Sequence, residues 1–531
     1  MSSLPEFKNE PLTDFSKPEN KAAMERALEK VGAELGSDHP LVIGGERISG
    51  LKTFESLNPS NKNVVGKFQK GTREHVERAI DVAWKAFESW KRAPVATRAG
   101  LLLKAAELMR QRKHQFSAVM IYEVGKTWAE ADADTAEAID FMEFYAREAY
   151  RYGGEQPITK IESEDNALVY LPLGVGAVIP PWNFPLAIMT GMTTAAVVTG
   201  NCVVLKPSSD SPWIAAHFFE LLEEAGMPAG VVNFVSGSGG EVGDPLIQSP
   251  RIRFISFTGS KEVGLHINEE AAKVHKGQLW IKRVVAEMGG KDAIIVDRET
   301  ANLDDAASAV VASAFGFQGQ KCSACSRVIV DQAIYDRFVP MIVEKTKKLV
   351  LGDATSPDSS VGPVVNEKAM KTIKSYIDKG TSEGGRLVAG GSVRAENGFF
   401  VEPTVIADVD PKGTIAQEEI FGPVLAVIKA KDFDDALHIA NDTEFGLTGA
   451  VFTDNEEKLD RAREEFFVGN LYLNRKCTGA LVGVHPFGGF NMSGTDSKAG
   501  GRDYLGLFLQ AKAIARKKKA EPKTVADAGG F

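Results

Sequence analysis

The stretch "LPLGVGAVIPPWNFPLAIMTGMTTAAVVTGNCVVL", residues 171–205, contains no charged side chain. A membrane-spanning helix needs about 20 consecutive apolar residues, whereas this run is interrupted by Pro180-Pro181, by Asn183 and by Thr193-Thr194. Apolar strands beside an apolar helix are typical of a parallel sheet that is buried on both faces. The stretch is therefore predicted to form a strand, a loop, a helix and a second strand, with the regular elements at 175–179, 185–199 and 202–205.

The same alternation continues towards the C-terminus. The segments "SPWIAAHFFELLEEAGMP" and "KEVGLHINEEAA" are typical of helices, and "VVNFVSG" and "RFISFTGS" are typical of strands. A second alternating region follows at about 293–474. Strand–helix repeats of this length predict βαβ units. The predicted fold class is therefore α/β, with two doubly wound domains and a boundary near Gly289-Gly290.

Two further segments predict an element outside these domains. The segment "ITKIESEDNALVYLPL", residues 158–173, is predicted to form an exposed β-hairpin that turns near Asp165-Asn166. The segment "LFLQAKAIARK", residues 507–517, is predicted to be a strand. Exposed strand edges attract partners, so we expect a homo-oligomer. The predicted organisation is a dinucleotide-binding domain (1–150 and 174–288), a catalytic domain (289–490) and oligomerisation segments (151–173 and 491–531).

The composition argues against several classes of function. The chain has 531 residues and a net charge of −9, which offers no basic surface for nucleic acid. The N-terminal sequence "MSSLPEFKNEPLTDF" mixes acidic with apolar residues, unlike a secretory or transit signal. Four cysteines in so long a chain do not make a disulfide framework, which indicates a reducing compartment. We expect a cytoplasmic protein without a nucleic-acid or membrane partner.

Three predicted strand-end loops are suited to a nucleotide. The segment "FTGSKEVG" places Gly259 and Ser260 before a helix, where free N–H groups favour phosphate. The segment "SGSGGEVG" contributes Gly237 and Gly239, and "LKPSSD" contributes Lys206. None of the three matches the G-x-G-x-x-G fingerprint, and glycines that only make turns would give the same pattern singly. Their occurrence on one predicted sheet favours a dinucleotide, because such sheets bind ligands beyond the carboxyl ends of their strands.

The segment "GFQGQKCSACSRVIV" contains Cys322 and Cys325 in a Cys-x-x-Cys spacing. A zinc site needs four ligands, and the remaining cysteines and histidines show no ligand spacing, so we predict no metal. A redox pair is expected to open a helix directly after a strand, whereas this pair precedes a strand. A single nucleophile, with Lys321 nearby to favour the thiolate, and a merely buried cysteine both remain open at this point.

The motifs "PWNFPL", "LKPS", "FTGSKEVG", "EMGGK", "GQKCSA", "EEIFGP" and "NRKCTGALVGVHPFGGF" occur in the order and spacing of the aldehyde dehydrogenase superfamily. The resemblance covers about residues 40–515. The segments "EADADTAEAIDFMEFYAREA", "FGFQGQKCSA" and "TGALVGVHPFGGF" most resemble the branch that oxidises L-glutamate γ-semialdehyde to L-glutamate in proline degradation. The resemblance implies the family's fold and an NAD-dependent dehydrogenase.

The resemblance also implies the catalytic residues. Cys322 resembles the nucleophile that adds to the aldehyde carbon, and Cys325 is then a bystander. The amide of Asn183 and the backbone N–H of Cys322 resemble the donors that stabilise the resulting oxyanion. Glu287 resembles the base that activates water for hydrolysis of the thioester.

The residues that the resemblance assigns to the cofactor line the predicted strand-end loops. Ser209 departs from the family pattern, because NAD-preferring relatives often carry glutamate at this position. Serine cannot repel the 2′-phosphate of NADP, so we expect NAD to be the cofactor and NADP to be accepted as well. The implied cofactor residues are Pro181, Trp182, Lys206, Ser209, Gly237, Gly239, Gly259, Ser260, Val263, Glu419 and Phe421.

The implied substrate residues follow the charges of glutamate semialdehyde. Its α-carboxylate requires N–H and O–H donors, which the resemblance places at Ser323, Gly479 and Ala480. Its α-ammonium requires an anion, for which Glu137 is the implied partner. Phe184 and Phe487 would enclose the aliphatic stem.

Two other functions need to be weighed against the same residues. The chain could be a general aldehyde dehydrogenase for another small aldehyde, against which "TGALVG" argues. A non-catalytic relative would usually lack one of Cys322, Asn183 and Glu287, and all three are present.

The chain is too short to carry a proline dehydrogenase barrel of about 250 residues beside this fold. A proline dehydrogenase partner is therefore expected to be a separate protein.

Overall fold

The computed structural model describes residues 4–519, in which strands and helices alternate mainly after residue 174. The helices are α1 (Pro18–Gly32), α2 (Arg73–Trp90), α3 (Val95–Gln111), α4 (Lys113–Val124), α5 (Trp128–Gly153), α6 (Ala187–Val198), α7 (Pro212–Ala225), α8 (Asp244–Gln248), α9 (Lys261–Ala272), α10 (Leu303–Phe315), α11 (Tyr335–Lys347), α12 (Glu367–Ser382), α13 (Thr414–Gln417), α14 (Phe433–Asn441) and α15 (Glu456–Glu465). The first eleven strands are β1 (Ser37–His39), β2 (Leu41–Ile43), β3 (Glu46–Ile48), β4 (Thr53–Leu57), β5 (Val64–Gln69), β6 (Glu164–Pro172), β7 (Val175–Ile179), β8 (Cys202–Leu205), β9 (Val232–Phe234), β10 (Phe254–Thr258) and β11 (Arg283–Glu287). The others are β12 (Ala293–Val296), β13 (Arg327–Asp331), β14 (Arg386–Ala389), β15 (Val393–Arg394), β16 (Phe400–Val401), β17 (Thr404–Ala407), β18 (Val424–Ala430), β19 (Phe445–Gly446), β20 (Thr448–Phe452), β21 (Asn470–Leu473), β22 (Phe490–Asn491) and β23 (Leu509–Lys517).

Two seven-stranded sheets form the framework. The first has the strand order β11-β10-β7-β8-β9-β2-β3, and the second has the order β14-β17-β18-β13-β12-β20-β21. The five strands from β11 to β9 pair in parallel, and β2 and β3 extend that sheet in antiparallel fashion. In the second sheet only β14 runs antiparallel to its neighbour. Parallel strands joined through helices are the expected product of βαβ units.

The uncharged stretch lies in the middle of the first sheet. Its strands β7 and β8 pair in parallel with Val175 opposite Cys202, and both have the predicted limits. Helix α6 begins at Ala187, two residues later than predicted, where the carboxylate of Asp134 accepts a hydrogen bond of 2.7 Å from the Ala187 N–H. A contact from α5 therefore sets the start of this helix.

The apolar character of α6 reflects burial in the protein core. Eleven of its twelve residues are buried, with Ile188 the exception. A helix that is apolar on all sides is stable where protein surrounds it. Among residues 4–519, no helix is both long enough and apolar enough to cross a membrane.

The end of the chain returns to the first sheet. A short 3₁₀ helix at Tyr504–Phe508 places Tyr504, Leu505 and Phe508 in the same hydrophobic core as β7, β8 and α6. The ring of Phe508 packs edge-on against Phe254 of β10, with 5.3 Å between the ring centroids. The residues just before β23 thus belong to the core, and β23 projects from it.

The predicted hairpin at 158–173 does not turn back on itself. The segment supplies the single strand β6, whose antiparallel partner is β23, with Pro172 opposite Leu509 and Glu164 opposite Lys517. The predicted turn at Asp165-Asn166 is wrong, because these residues lie inside the strand and pair with Arg516 and Ala515. Alternation of polar and apolar residues predicts a strand but does not identify its partner. The two-stranded antiparallel element exists, and its strands lie more than 300 residues apart.

Candidate active site

The loop that carries Cys322 joins α10 to β13 of the second sheet. It begins with a 3₁₀ turn at Gly316–Gly319, in which Phe317 and Gln318 have positive φ angles of 46° and 56°. Such angles cost about 1–3 kcal/mol per residue and persist only where neighbours impose them. Gly125 and Pro363 are such neighbours, because their carbonyl oxygens accept hydrogen bonds of 2.9 and 2.7 Å from the Gln318 amide.

Asn183 comes to this loop from the first sheet. It lies between β7 and α6, is 4% exposed, and its Nδ2 donates to the carbonyl oxygen of Gln320 at 3.0 Å. Gln320 is two residues before Cys322. The contact therefore places a side-chain amide beside the thiol-bearing loop.

Glu287 ends β11, and its carboxylate is fully engaged by a distant loop. One oxygen accepts from the Ser497 hydroxyl at 2.6 Å and the Ser497 N–H at 3.2 Å, and the other accepts from the Gly489 N–H at 3.1 Å. Burial raises the pKa of Glu287 to about 7, and these hydrogen bonds oppose the shift. A carboxyl with this pKa can take up and release a proton near neutral pH.

Two glycines after Glu287 allow the two sheets to meet at Cys322, the candidate nucleophile. A Cβ atom on Gly290 would lie 2.4 Å from the carbonyl oxygen of Cys322, and one on Gly289 would lie 2.2 Å from Oε2 of Glu419. The Gly290 N–H donates to Oε1 of Glu419 at 3.0 Å. Only glycine fits at these positions, so the "EMGGK" segment brings Glu287, Cys322 and Glu419 into one cleft.

The electrostatic surroundings of Cys322 differ from the prediction. Burial, followed by the negative charges of Asp292, Glu419 and Glu287, raises the pKa of the Cys322 thiol well above its usual range. Lys321 does not favour the thiolate, since its Nζ forms an ion pair of 2.7 Å with Glu130. The prediction about Lys321 is wrong because adjacency in sequence does not direct a side chain towards its neighbour.

Cys325 lies in the hydrophobic core, three residues after Cys322. It is 1% exposed, its Sγ donates to the carbonyl oxygen of Arg327 at 3.3 Å, and a hydrogen bond with Cys477 contributes to its raised pKa. All four cysteines are free thiols. Within residues 4–519, no group of three or more His, Cys, Asp or Glu side chains is arranged to hold a metal ion.

The predicted cofactor loops lie at neighbouring strand ends of the first sheet. Lys206 follows β8, and burial lowers its pKa to about 8. Ser209 Oγ donates to the carbonyl oxygen of Gly237 at 3.5 Å, and Gly237 has a φ of 151°, so the loops after β8 and β9 touch. Gly239 opens a short π-helical turn, Gly239–Gly243.

The loop after β10 completes this edge of the sheet. Ser260 caps α9, and its Oγ accepts from the N–H of Val263 at 3.4 Å. The Gly259 N–H donates to the carbonyl oxygen of Glu287 at 3.1 Å, which links the cofactor loop to the candidate base. Val263 is 45% exposed on the first turn of α9.

The other predicted cofactor residues meet between the two sheets. Trp182, which follows Pro181, packs edge-on against Phe421, with 5.5 Å between the ring centroids. Phe421 has a φ of 55°, and Glu419, two residues before it, has its pKa raised to about 6 by burial. The aromatic rings of Trp182 and Phe421 and the carboxylate of Glu419 thus belong to the same predicted cofactor site as the loops after β8, β9 and β10.

The predicted polar substrate residues lie on three segments, which are the Cys322 loop, the "CTGA" segment and helix α5. Ser323 adjoins the "CTGA" segment, since Cys477 Sγ donates to its carbonyl oxygen at 3.5 Å. Gly479 and Ala480 follow in that segment, where Gly479 has a φ of 78°. Glu137 projects from α5, and burial, with the charges of Asp134 and Asp140, raises its pKa to about 8.

The two predicted aromatic residues lie on separate loops. Phe184 packs edge-on against Phe317 at 6.4 Å between centroids. Phe487 lies on the loop before β22, where its backbone exchanges hydrogen bonds of 2.8 and 2.7 Å with Ala499. In the described part of the chain, no aromatic contact joins Phe184 to Phe487.

Lys126 is a site residue that the sequence did not reveal. It is fully buried, and its Nζ lies 4.2 Å from the ring centre of Phe184, 3.9 Å from that of Phe317 and 3.4 Å from Oδ2 of Asp134. Burial lowers the pKa of Lys126, and the negative charges of Asp134 and Glu130 oppose this shift. One lysine in "EVGKTW" carries no periodicity that marks it as buried, so only its neighbours in space identify it.

Comparisons with known proteins extend over nearly the whole chain. A profile described as the aldehyde dehydrogenase family matches residues 47–514. The 1-pyrroline-5-carboxylate dehydrogenase of Geobacillus sp. (strain WCH70) is 57% identical over 510 residues, which cover 96% of this chain and 99% of that protein. A 1-pyrroline-5-carboxylate dehydrogenase from Thermus, solved with bound NAD, has a TM-score of 0.95 at 51% identity and covers 97% of this chain and 100% of its own. Proline utilization A from Bdellovibrio bacteriovorus has a TM-score of 0.95 at 44% identity, and the match covers 100% of this chain and 55% of that one.

Proposed function

The chain belongs to the aldehyde dehydrogenase family, and from this membership we propose that it oxidises L-glutamate γ-semialdehyde, the open form of 1-pyrroline-5-carboxylate, to L-glutamate with NAD. The single observation that carries the proposal is the 57% identity to a 1-pyrroline-5-carboxylate dehydrogenase across 96% of the chain. The site supports it. The segment with Gly479 and Ala480 reaches the Cys322 loop through the contact of Cys477 with Ser323, so its backbone would bind the α-carboxylate, and Glu137 on α5 would bind the α-ammonium.

In the first half of the reaction, the partly exposed Cys322 thiol releases its proton to solvent. The thiolate, a minor form because the thiol pKa is raised, then adds to the aldehyde carbon and forms a tetrahedral thiohemiacetal. The Asn183 amide has two N–H groups. One donates to the carbonyl oxygen of Gln320, and the other can donate to the oxyanion. Bound NAD supplies the acceptor for the hydride that leaves this carbon. A thioester on Cys322 then remains.

In the second half, Glu287 removes a proton from the water that hydrolyses the thioester. The carboxylate is held by Gly489 and Ser497 in the present conformation. It has to turn towards Cys322 to act, and the glycines that follow it give the backbone room to adjust. Its pKa of about 7 leaves a substantial ionised fraction at neutral pH.

The strand-end loops fit a dinucleotide. A Cβ atom on Gly239 would meet no atom within 4 Å, so there is open space beside the loop after β9. Helix α9 offers its N-terminus beside Gly259 and Ser260. Lys206 would donate to the adenine-side ribose and Glu419 would accept from the nicotinamide ribose, as in the family.

Ser209→Glu is expected to shift cofactor choice. Ser209 lies beside Gly237, and a carboxylate there would repel a 2′-phosphate near Lys206. We expect the wild type to use both cofactors, and the ratio of kcat/KM for NADP to that for NAD to fall at least about tenfold in the variant, which corresponds to about 1.4 kcal/mol. The neutral variant Ser209→Gln should leave that ratio within about twofold. A wild type already unable to use NADP would contradict the prediction, and shape rather than charge would then exclude the phosphate.

The β6–β23 ribbon supports assembly into a homo-oligomer. Leu171 on β6 and Ile514 on β23 are 40% and 42% exposed, so the ribbon presents apolar side chains, and within residues 4–519 each of its strands pairs only with the other. An exposed strand edge is stabilised by pairing with another subunit.

The chain matches 55% of proline utilization A. Because the match leaves the rest of that protein without a counterpart here, a proline dehydrogenase that supplies the substrate would be a separate protein. Four free thiols fit a cytoplasmic location.

Deletion of residues from Gln510 onward is expected to give monomers or insoluble protein. The deletion removes the projecting strand and retains Phe508 and Leu509, which are buried in the core. Light scattering after size-exclusion chromatography measures the mass. A shorter deletion that keeps the chain through Lys518 is the control and should assemble like the wild type. A monodisperse oligomer of the longer deletion with the wild-type mass would refute the role of β23.

A panel of aldehydes tests the proposed substrate. We expect kcat/KM with NAD to be highest for glutamate semialdehyde, and lower for propanal, which lacks both charged groups. Betaine aldehyde, which carries a cation but no carboxylate, should also be poor. A clear preference for either of the simpler aldehydes would replace the proposal with a general aldehyde dehydrogenase.

A further inference from the structure

The N-terminal segment before α1 is tied along helix α5 by specific hydrogen bonds. We call residues 4–17 the N-terminal arm. Thr13 donates its N–H at 2.8 Å and its hydroxyl at 2.6 Å to the two oxygens of Asp132 on α5. The Glu10 N–H donates to Oδ1 of Asp140 at 2.6 Å, two helical turns further along. The arm therefore follows α5 past Glu137, which lies between Asp132 and Asp140.

Asn9 connects this arm and helix to the predicted carboxylate-binding segment. Its Nδ2 donates to Oδ2 of Asp140 at 2.8 Å and to the carbonyl oxygen of Val482 at 3.0 Å. An amide nitrogen has two hydrogens, so both bonds form at once. Asp140 is three residues after Glu137 on α5, and Val482 is two residues after Ala480. One side chain thus spans the two halves of the predicted substrate head-group site.

The backbone beyond Val482 is also clamped by the arm. Gly483 has a φ of 77°, and a Cβ atom there would lie 3.1 Å from the Phe144 ring and 3.2 Å from the Phe7 ring. The rings of Phe7 and Phe144 pack edge-on, with 5.2 Å between their centroids. The arm therefore closes around the loop from two directions, with Asn9 as the polar contact and Phe7 as the apolar one.

The two hydrogen bonds of Asn9, which we call the Asn9 bridge, supply a donor to the Asp140 carboxylate, which has little access to water. Asp140 is 4% exposed, and burial raises its pKa to about 6, while the bonds from Asn9 and Glu10 act in the opposite direction. A buried carboxylate that loses a donor is costly. The Asn9 bridge is thus stabilised at one end by the need of Asp140 for a donor, and at the other end by the packing of Phe7 and Phe144 around Gly483.

We propose that Asn9 is a positioning residue for substrate selection, which fixes the 479–483 loop at a set distance from the α5 turn that carries Glu137. This inference rests on the proposed function. A substrate with both an α-carboxylate and an α-ammonium needs the two elements at the correct spacing. An aldehyde without these groups contacts neither element, so its oxidation is independent of the bridge.

The experiment compares two aldehydes in Asn9→Leu, which keeps the side-chain size and removes both donors. We expect the KM for glutamate semialdehyde to rise about five- to tenfold, the scale of one lost net hydrogen bond of about 1–1.5 kcal/mol. The kcat for that substrate and the kcat/KM for propanal should stay within about twofold. Thr13→Val is the matched control, because it removes an arm bond to Asp132 without touching the loop, and it should leave both substrates unchanged.

A second variant approaches the same loop from the other side. Gly483→Ala introduces a Cβ atom at a positive φ and against two rings, and it should produce the same selective rise in KM. An equal loss with both aldehydes in the Asn9 variant, or no loss with either, would overturn the inference. A wild type that does not prefer glutamate semialdehyde to propanal would instead refute the proposed function.

Discussion

Cys322→Ala is expected to abolish aldehyde oxidation, with kcat/KM reduced by at least about 10⁴-fold, as when other covalent nucleophiles are removed. The thiolate forms the bond to the aldehyde carbon, and no neighbouring side chain can replace it. Cys325 cannot do so because it is 1% exposed and its Sγ is turned to the carbonyl oxygen of Arg327.

Cys325→Ala is the matched control for this prediction. It removes one buried sulfur atom from the core, which costs on the order of 1 kcal/mol of folding free energy. We expect a slightly lower Tm and at least about half of the wild-type kcat/KM. A folded Cys325 variant that is inactive, beside an active Cys322 variant, would show that the nucleophile is misassigned.

Glu287→Gln is expected to separate the two halves of the reaction. Hydride transfer precedes hydrolysis, so the variant should still release one equivalent of NADH per active site in a rapid burst. Steady turnover should fall by about 10²–10⁴-fold, the usual contribution of a general base. Stopped-flow absorbance of NADH measures both phases in one experiment.

The pH dependence provides an independent check on Glu287. Because burial raises its pKa to about 7, the carboxyl is mostly protonated below pH 7 and mostly ionised above it. Only the ionised form accepts a proton, so wild-type steady turnover should rise between about pH 6 and 8. The rise should be absent from the slow turnover of Glu287→Gln. Loss of the burst together with turnover would show that Glu287 also activates the Cys322 thiol.

The sequence by itself determined the fold class and supplied the candidates for the reacting residues. The uncharged stretch at 171–205 is broken by prolines and followed by helical and strand patterns, and the strands β7 and β8 have the predicted limits. Hydrophobic periodicity is a local property, so it can be recognised without a structure. The order of the motifs in turn led to the family and to Cys322, Asn183 and Glu287 as candidates.

Only the tertiary structure decided how those residues are held. The partners of Glu287 are Gly489 and Ser497, about 200 residues away, and the partner of β6 is β23 rather than a neighbouring strand. Lys321 pairs with Glu130 instead of serving the thiol, and Asn9 meets Val482 across 473 positions. Hydrogen bonds, desolvation and pKa values depend on what lies within a few ångströms in space. Residue spacing along the chain does not specify those distances, and they arise only when the two sheets, the arm and the ribbon pack together.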